Sequence, residues 1–179
     1  LLRDLKMLYN TLGKTGLEVS RLGFGAMRLP TKGSNADIDE TEASKMLQYG
    51  IENGINIIDT AYPYHSKELD GNGNSEKFIG KFLKENDLRD EVLLSTKSPS
   101  WLMEKKTDFD YYLDIQLEKL QTDYIDIYML HSLTVPDWNK VHDLDVLNFL
   151  DECLSSGKVK HVGFSSHIEV DYLIEILDE

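Results

Sequence analysis

The chain has 179 residues, 41% hydrophobic by count and 28% charged, a globular balance that excludes a disordered chain and allows a sizeable core in one domain. Its formal net charge of −13 repels phosphate backbones and anionic bilayers, which argues against nucleic acid and membrane partners. No apolar run reaches the ~18–20 residues of a bilayer span, Arg3, Asp4 and Lys6 break the apolar opening, and a single cysteine, Cys153, allows no internal disulfide. Together these features point to the reducing cytoplasm, with Cys153 read as a small core residue.

In chain order, a hairpin is predicted around Lys14 and Gly16, then a Gly-rich strand over residues 22–27. A helix over 41–53 follows, with Ala43, Met46, Leu47 and Ile51 near helical spacing, Asp39 or Thr41 as its cap and Gly54 at its end. Residues 55–59 are apolar without alternation, as in a strand buried on both faces. Residues 75–84 form a helix with Ser75 as N-cap and Phe78, Ile79, Phe82 and Leu83 as its stripe. The rhythm continues with a strand over 92–96, a helix over 108–120 with Leu113, Leu117 and Leu120 inward, and a strand over 125–130. A helix over 144–156 closed by Gly157, a strand over 159–164 and a helix over 170–177 complete the pattern.

Strands alternating with helices at this spacing imply parallel strands and right-handed crossovers, in a doubly wound sheet or a (β/α)8 TIM barrel. A doubly wound dinucleotide fold calls for G-x-G-x-x-G after its first strand, whereas Arg28 stands where the third glycine would follow Gly23 and Gly25. The barrel is favoured by where the polar residues fall. Asp59, Lys97, His131 and the pair Ser165 and Ser166 end four successive strands, and in a parallel barrel those ends open on the face where the chemistry sits.

Asp59, Tyr64, Lys97 and His131 make chemical sense as one set. A phenol with an ordinary pKa near ~10 is a poor proton donor at neutral pH, and an adjacent ammonium favours its ionised form. Lys97 can supply that charge, Asp59 can hold the lysine, and His131 can orient a substrate oxygen or share the proton with Tyr64. A carbonyl between Tyr64 and His131 would be polarised for hydride attack. Met27, Phe24 and Trp101 can line an apolar pocket, and Trp101 with Met27, Tyr64 and His131 is read as the substrate wall. His65, His142, His161 and His167 form no H-x-H or H-E-x-x-H pattern, so no metal site is expected.

The segments LYNTLGKTGLEVSRLGFGAMRLP (8–30), DTAYPYH (59–65), STK (95–97), LHS (130–132) and GFSSH (163–167) resemble, in that order, the motifs of the aldo-keto reductases. The resemblance implies a nicotinamide-dependent carbonyl reductase of barrel fold, running on NADP(H) rather than NAD(H) and acting on a small-molecule carbonyl. It implies that Asp59, Tyr64, Lys97 and His131 are its catalytic tetrad, that Ser165 and Ser166 bind the nicotinamide carboxamide, and that Gly25, Ala26, Met27 and Arg28, with Asp59, lie against the cofactor. The 16–30 segment is similar to a prokaryotic subgroup that often carries a C-terminal iron–sulfur domain. Two departures stand out: the link at 65–74 between Tyr64 and Ser75 is longer than usual, and Ser166 replaces the asparagine of many members.

A (β/α)8 barrel takes about 250 residues, and this chain carries five strand–helix units, begins with Leu1 and stops at Glu179 without a helix cap. Residues 1–179 are therefore expected to be a single partial barrel domain, truncated at the C-terminus and inactive alone. Two other functions fit the same residues: a Schiff-base aldolase in which Lys97 attacks the carbonyl, and a non-catalytic regulatory or binding subunit of the kind the family also contains.

Overall fold

A computed structural model describes residues 6–68 and 71–178. The readings made at Arg3, Asp4 and Glu179, and at the centre of the 65–74 link, lie outside the described residues.

The chain opens with a short antiparallel ribbon, β1 (Tyr9–Thr11) and β2 (Glu18–Ser20), turning where the hairpin was predicted. The predicted first long strand is only β3 (Phe24–Gly25), because residues 26–28 wind into a 3-10 turn. The carbonyl of Ala26 is taken there by the Ser75 hydroxyl at 3.0 Å instead of by a neighbouring strand. Helix α1 (Glu40–Glu52) begins where the Asp39 carboxylate accepts from Glu42 N at 3.3 Å, with Glu40 and Glu42 at the positive end of the helix dipole. Its inward face is Ala43, Leu47 and Gly50, while Met46, expected in the stripe, lies at its margin and is 49% exposed.

Strand β4 (Ile57–Asp59) starts later than predicted. The Asn56 side chain accepts from Ser20 N at 2.8 Å and donates to Glu18 O at 2.9 Å, tying the strand's entry to the ribbon. In helix α2 (Ser75–Glu85) the cap position belongs to Asn74, not Ser75. The Ser75 hydroxyl is buried and bridges Thr60 Oγ1, from which it accepts at 2.9 Å, and Ala26 O, so tertiary partners take the group that a local cap would have used. Then follow β5 (Leu93–Ser98), α3 (Thr107–Leu120), β6 (Ile125–Leu133) and α4 (Val135–Asp143), a helix the sequence reading missed. Its start is chemically ordinary: Thr134 accepts from Asp137 N at 3.2 Å and Pro136 sits in the first turn. Helix α5 (Val146–Ser156) begins two residues later than predicted and ends at Gly157, at φ +77°. Strand β7 (Val159–Ser166) and α6 (Val170–Asp178) complete the described chain.

The five longer-range strands pair in the order β3-β4-β5-β6-β7, each parallel to its neighbours. Strands that add on one side in chain order, without the reversal of a doubly wound sheet, with a helix after each, make the (β/α) barrel arrangement. Among the described residues β3 and β7 are unpaired on one side. The core runs between strands and helices through Leu47, Ile58, Ile79, Leu94, Leu113 and Ile125, each fully buried. Each such side chain contributes about 1.5–3 kcal/mol.

One polar cluster sits inside that core. Glu76, 0% exposed, accepts from Thr96 Oγ1 at 2.6 Å, Gln116 Nε2 at 2.5 Å and Lys119 Nζ at 2.6 Å. Gln116 Nε2 also donates to the carbonyl of Lys97 at 3.0 Å, and Tyr128 donates to Gln116 Oε1 at 2.9 Å. Helices α2 and α3 approach closely enough to build it because residue 80 is glycine: a Cβ there would lie 2.4 Å from the Lys119 carbonyl. Every member of the cluster is partnered, which makes the removal of one costly. Glu76→Ala leaves Lys119 without its counter-ion and is expected to lower the unfolding free energy by about 3–5 kcal/mol, as measured by urea unfolding.

Candidate active site

Parallel pairing brings the C-terminal ends of the strands together. The register sets Asp59 beside Gly25 on one side and Ser95 on the other, with Lys97 two residues further along β5. Side chains alternate along a strand, so Ser95 and Lys97 share a face, and both reach Asp59: Ser95 Oγ donates to Oδ1 at 3.0 Å and Lys97 Nζ to Oδ2 at 2.6 Å. The lysine side chain is 8% exposed. Its ammonium also donates to Thr60 O at 2.8 Å and to the Tyr64 hydroxyl oxygen at 3.3 Å, so three acceptors meet its three N–H bonds.

Tyr64 rides on a loop held from beneath. Gly73 N donates to Tyr62 O at 2.9 Å and Ser75 N to Tyr64 O at 3.1 Å. Position 73 must be glycine for that contact, since a Cβ there would lie 2.0 Å from the Tyr64 carbonyl oxygen. Gly73 and Ser75, at the end of the link, thus brace the tyrosine loop. With Lys97 donating to the phenol oxygen, the phenol keeps its own proton for another partner.

His131 faces Tyr64 edge-on, ring centroids 5.8 Å apart at 81°, and packs against Trp101 at 5.4 Å. It lies at an irregularity in the β6–β7 pairing, where Ser132 takes φ +51°. Two hydroxyls pin the backbone there: Ser100 Oγ accepts from His131 N at 3.1 Å and Ser165 Oγ from Ser132 N at 2.8 Å. Burial first, and the Lys97 ammonium second, push the His131 pKa down to about 4, so the ring is neutral at physiological pH. Its Nδ1 is buried without a partner among the described residues.

These side chains border a cavity of about 630 Å³, whose wall includes Met27, Asn35, Tyr64, Trp101, His131 and His167. Of the three residues read as its apolar wall, Phe24 is not part of it and packs instead on the hydrophobic core. His167, the last residue of the GFSSH segment, and Asn35 were not assigned to the wall. Ser95 was legible in hindsight from its same-face spacing to Lys97. A concavity of about 580 Å³ between α1 and α2 contains none of the strand-end residues.

The residues read as cofactor contacts differ in what they have free. Above Gly25 a Cβ would meet nothing within 4 Å, which leaves open floor beside Asp59. Ala26 is buried with its carbonyl taken, while Met27 is 54% exposed and Arg28 is also exposed. Ser165 accepts from Ser132 N and retains its hydroxyl proton to give. Ser166 both donates to Leu133 O at 2.6 Å and accepts from Ile168 N at 3.1 Å.

Comparison with known proteins places this chain among relatives. The family model described as the Aldo/keto reductase family matches residues 21–178. The chain is 31% identical over 169 residues to the aldo-keto reductase YhdN of Bacillus subtilis, covering 89% of this chain and 47% of that protein. It is 31% identical over 163 residues to the 6-dehydroglucose reductase of Novosphingobium aromaticivorans, covering 88% and 51%. An aldo-keto reductase of Bacillus halodurans, solved in its holo form, superposes with a TM-score of 0.74 at 33% identity, over 96% of this chain and 54% of that one. The chain spans about half the length of the curated relatives it matches.

The depressed basicity of His131 has a measurable consequence. Between about pH 6.5 and 4 the unfolded chain binds a proton at this ring and the folded chain does not, so stability present above pH 6.5 is lost as pH falls toward 4. His131→Gln is expected to flatten the pH dependence of the unfolding free energy in that window. An NMR titration of the wild-type ring should show it still neutral at about pH 5; a ring already protonated there contradicts the electrostatics described.

Proposed function

This chain belongs to the aldo/keto reductase family, and from that premise we propose that the protein carrying it reduces an aldehyde or ketone to the alcohol, and runs the reverse oxidation, with a nicotinamide cofactor and Tyr64 as proton donor. The observation that carries the reading is the bond from Lys97 Nζ to the Tyr64 oxygen at 3.3 Å, backed by Asp59 at 2.6 Å. A cation on the oxygen of a phenol stabilises the negative charge left there when the proton departs, and stabilisation at the place where charge develops is what accelerates a proton transfer. The neutral His131 ring, opposite Tyr64, carries one donor and one acceptor and can orient the substrate oxygen without adding charge to the site.

The residues present fit the cofactor. Open floor at Gly25 and the free hydroxyl proton of Ser165 suit a flat ring with an amide, and Met27 and Arg28 stand exposed at the adjoining turn. When bound, the dihydronicotinamide supplies the hydride. Ser165 is the stronger candidate for the amide, because Ser166 already uses its hydroxyl in both directions. NADP(H) is preferred over NAD(H) on the family resemblance, and parallel titration with both cofactors tests it. One relative is named a 6-dehydroglucose reductase, so sugar-derived carbonyls belong in a substrate screen beside small aldehydes.

The surroundings of Lys97 weigh against the Schiff-base alternative. Its three N–H bonds are used on Asp59, Thr60 and Tyr64, which leaves no lone pair facing the cavity. Borohydride treatment with substrate should therefore leave Lys97 unlabelled; a trapped adduct there would favour the aldolase.

Tyr64→Phe removes the hydroxyl and keeps the ring. In the intact protein it is expected to lower turnover of a reporter aldehyde by about 10²–10⁴-fold, with cofactor affinity, followed by fluorescence titration, nearly unchanged. Near-normal turnover would remove Tyr64 from the role. Lys97→Met deletes the charge at similar length and is expected to slow the same step while changing the pH–rate profile. An unchanged profile would separate Lys97 from the proton transfer.

A further inference from the structure

The residue after Tyr64 is spent in an unusual way for a loop histidine. His65 is 2% exposed, and its backbone takes φ +61°, a conformation that residues with a Cβ seldom adopt and glycine adopts freely. Both ring nitrogens are engaged with backbone groups from elsewhere: Nε2 lies 3.0 Å from Leu29 N and Nδ1 2.6 Å from Asn35 O. A peptide N–H can only donate and a carbonyl can only accept, so the ring presents its lone pair at Nε2 and its proton at Nδ1. The reversed tautomer would set donor against donor and acceptor against acceptor.

The partners matter because of what they carry. Leu29 follows the 3-10 turn that bears Met27, and Asn35 belongs to the loop closed by the Thr31–Ile38 bridge. Asn35 returns the contact by donating from Nδ2 to Ser66 O at 3.2 Å. Met27, Asn35, Tyr64 and His65 all border the cavity. On the opposite side the His65 carbonyl accepts from Asn74 N at 3.2 Å, next to the bond from Ser75 N to Tyr64 O. One imidazole therefore joins the turn after β3, the 31–38 loop and the tyrosine loop, directly beside the phenol.

We propose that His65 is a positioning residue for Tyr64: in its neutral, Nδ1-protonated form it latches the three segments that set the phenol against Lys97 and the cavity. The proposal rests on the reading of Tyr64 as proton donor. A ring that merely filled space would be indifferent to tautomer and replaceable by any side chain of similar bulk, whereas the latch requires a donor and an acceptor at the two ring positions.

The test uses the intact protein. First, ¹⁵N–¹H multiple-bond NMR of the wild type reports the His65 tautomer without reference to activity; the Nδ1–H form is expected, and an Nε2–H form overturns the latch. Second, wild-type turnover of a reporter aldehyde is established, and its absence would defeat the oxidoreductase reading while leaving the tautomer result to stand on its own. Third, His65→Gly keeps the left-handed backbone without strain and deletes the ring. It is expected to lower kcat by about 10–100-fold, since misplacing a reacting group by about 1 Å costs about 10²-fold. The KM for cofactor should stay largely unchanged, and the solvent deuterium isotope effect on kcat should rise as proton transfer becomes limiting. His65→Asn, which tolerates the same backbone and restores an amide N–H, should recover part of the loss. A His65→Gly variant with wild-type kcat, or one whose kcat and melting temperature fall together with no change in isotope effect, overturns the proposal.

Discussion

An ammonium taken out of water needs an acceptor for each of its N–H bonds, because the desolvation of a buried ion costs several kcal/mol unless close partners offset it. Lys97 meets that demand with Asp59, the Thr60 carbonyl and Tyr64, and much of the surrounding structure follows from it. The β4–β5 register must bring Asp59 level with Ser95 for the carboxylate to be reached by both Ser95 and Lys97. The chain leaving β4 must hug β5, as Thr60 N and Tyr62 N do by donating to Ser95 O at 2.9 Å and Lys97 O at 3.3 Å. The phenol enters as the third acceptor, and its oxygen is thereby committed while its proton is not.

The same ammonium shapes its neighbour. His131 stands near enough to feel Lys97 and is buried enough to lack water, and both influences keep its ring neutral. The site thus sets two groups beside Tyr64: the Lys97 ammonium, paired with Asp59, and the neutral imidazole of His131, edge-on to the tyrosine ring. A second cation in the cavity would oppose the first; a neutral donor can orient an oxygen without that repulsion.

Helix α2 serves two sides at once through consecutive residues. Ser75 holds the turn after β3 and the end of β4 through Ala26 O and Thr60, while Glu76 holds β5 and α3 through Thr96, Gln116 and Lys119. Since Gln116 also donates to the Lys97 carbonyl, the buried cluster supports the strand end that carries the lysine. Above this braced floor Gly73 passes so near Tyr64 that no side chain fits between them.

Most of the architecture was legible without coordinates. Alternating strand and helix patterns, a cap at Asp39 or Thr41 (Asp39 in the structure) and the stop at Gly157 are local signals, read over a few residues, and they placed Asp59, Lys97, His131, Ser165 and Ser166 at or near strand ends. The misses were of two kinds. Helix α4 carried a readable start at Thr134 and Pro136 that went unused. Ser75 was misread because its hydroxyl serves a partner 49 positions back along the chain rather than its own helix. The sequence by itself determined the alternation of strands and helices, α4 apart, and which reactive residue stands at or near the end of each strand from β4 to β7, since side-chain periodicity and capping act within one or two turns of chain. Only the tertiary structure decided which hydroxyl is spent and which is free, that the third acceptor of Lys97 is Tyr64, and that both nitrogens of His65 are engaged. Those choices join groups 30 to 38 positions apart, and hydrogen bonds of that reach follow from strand register and loop closure, which leave no period in the sequence.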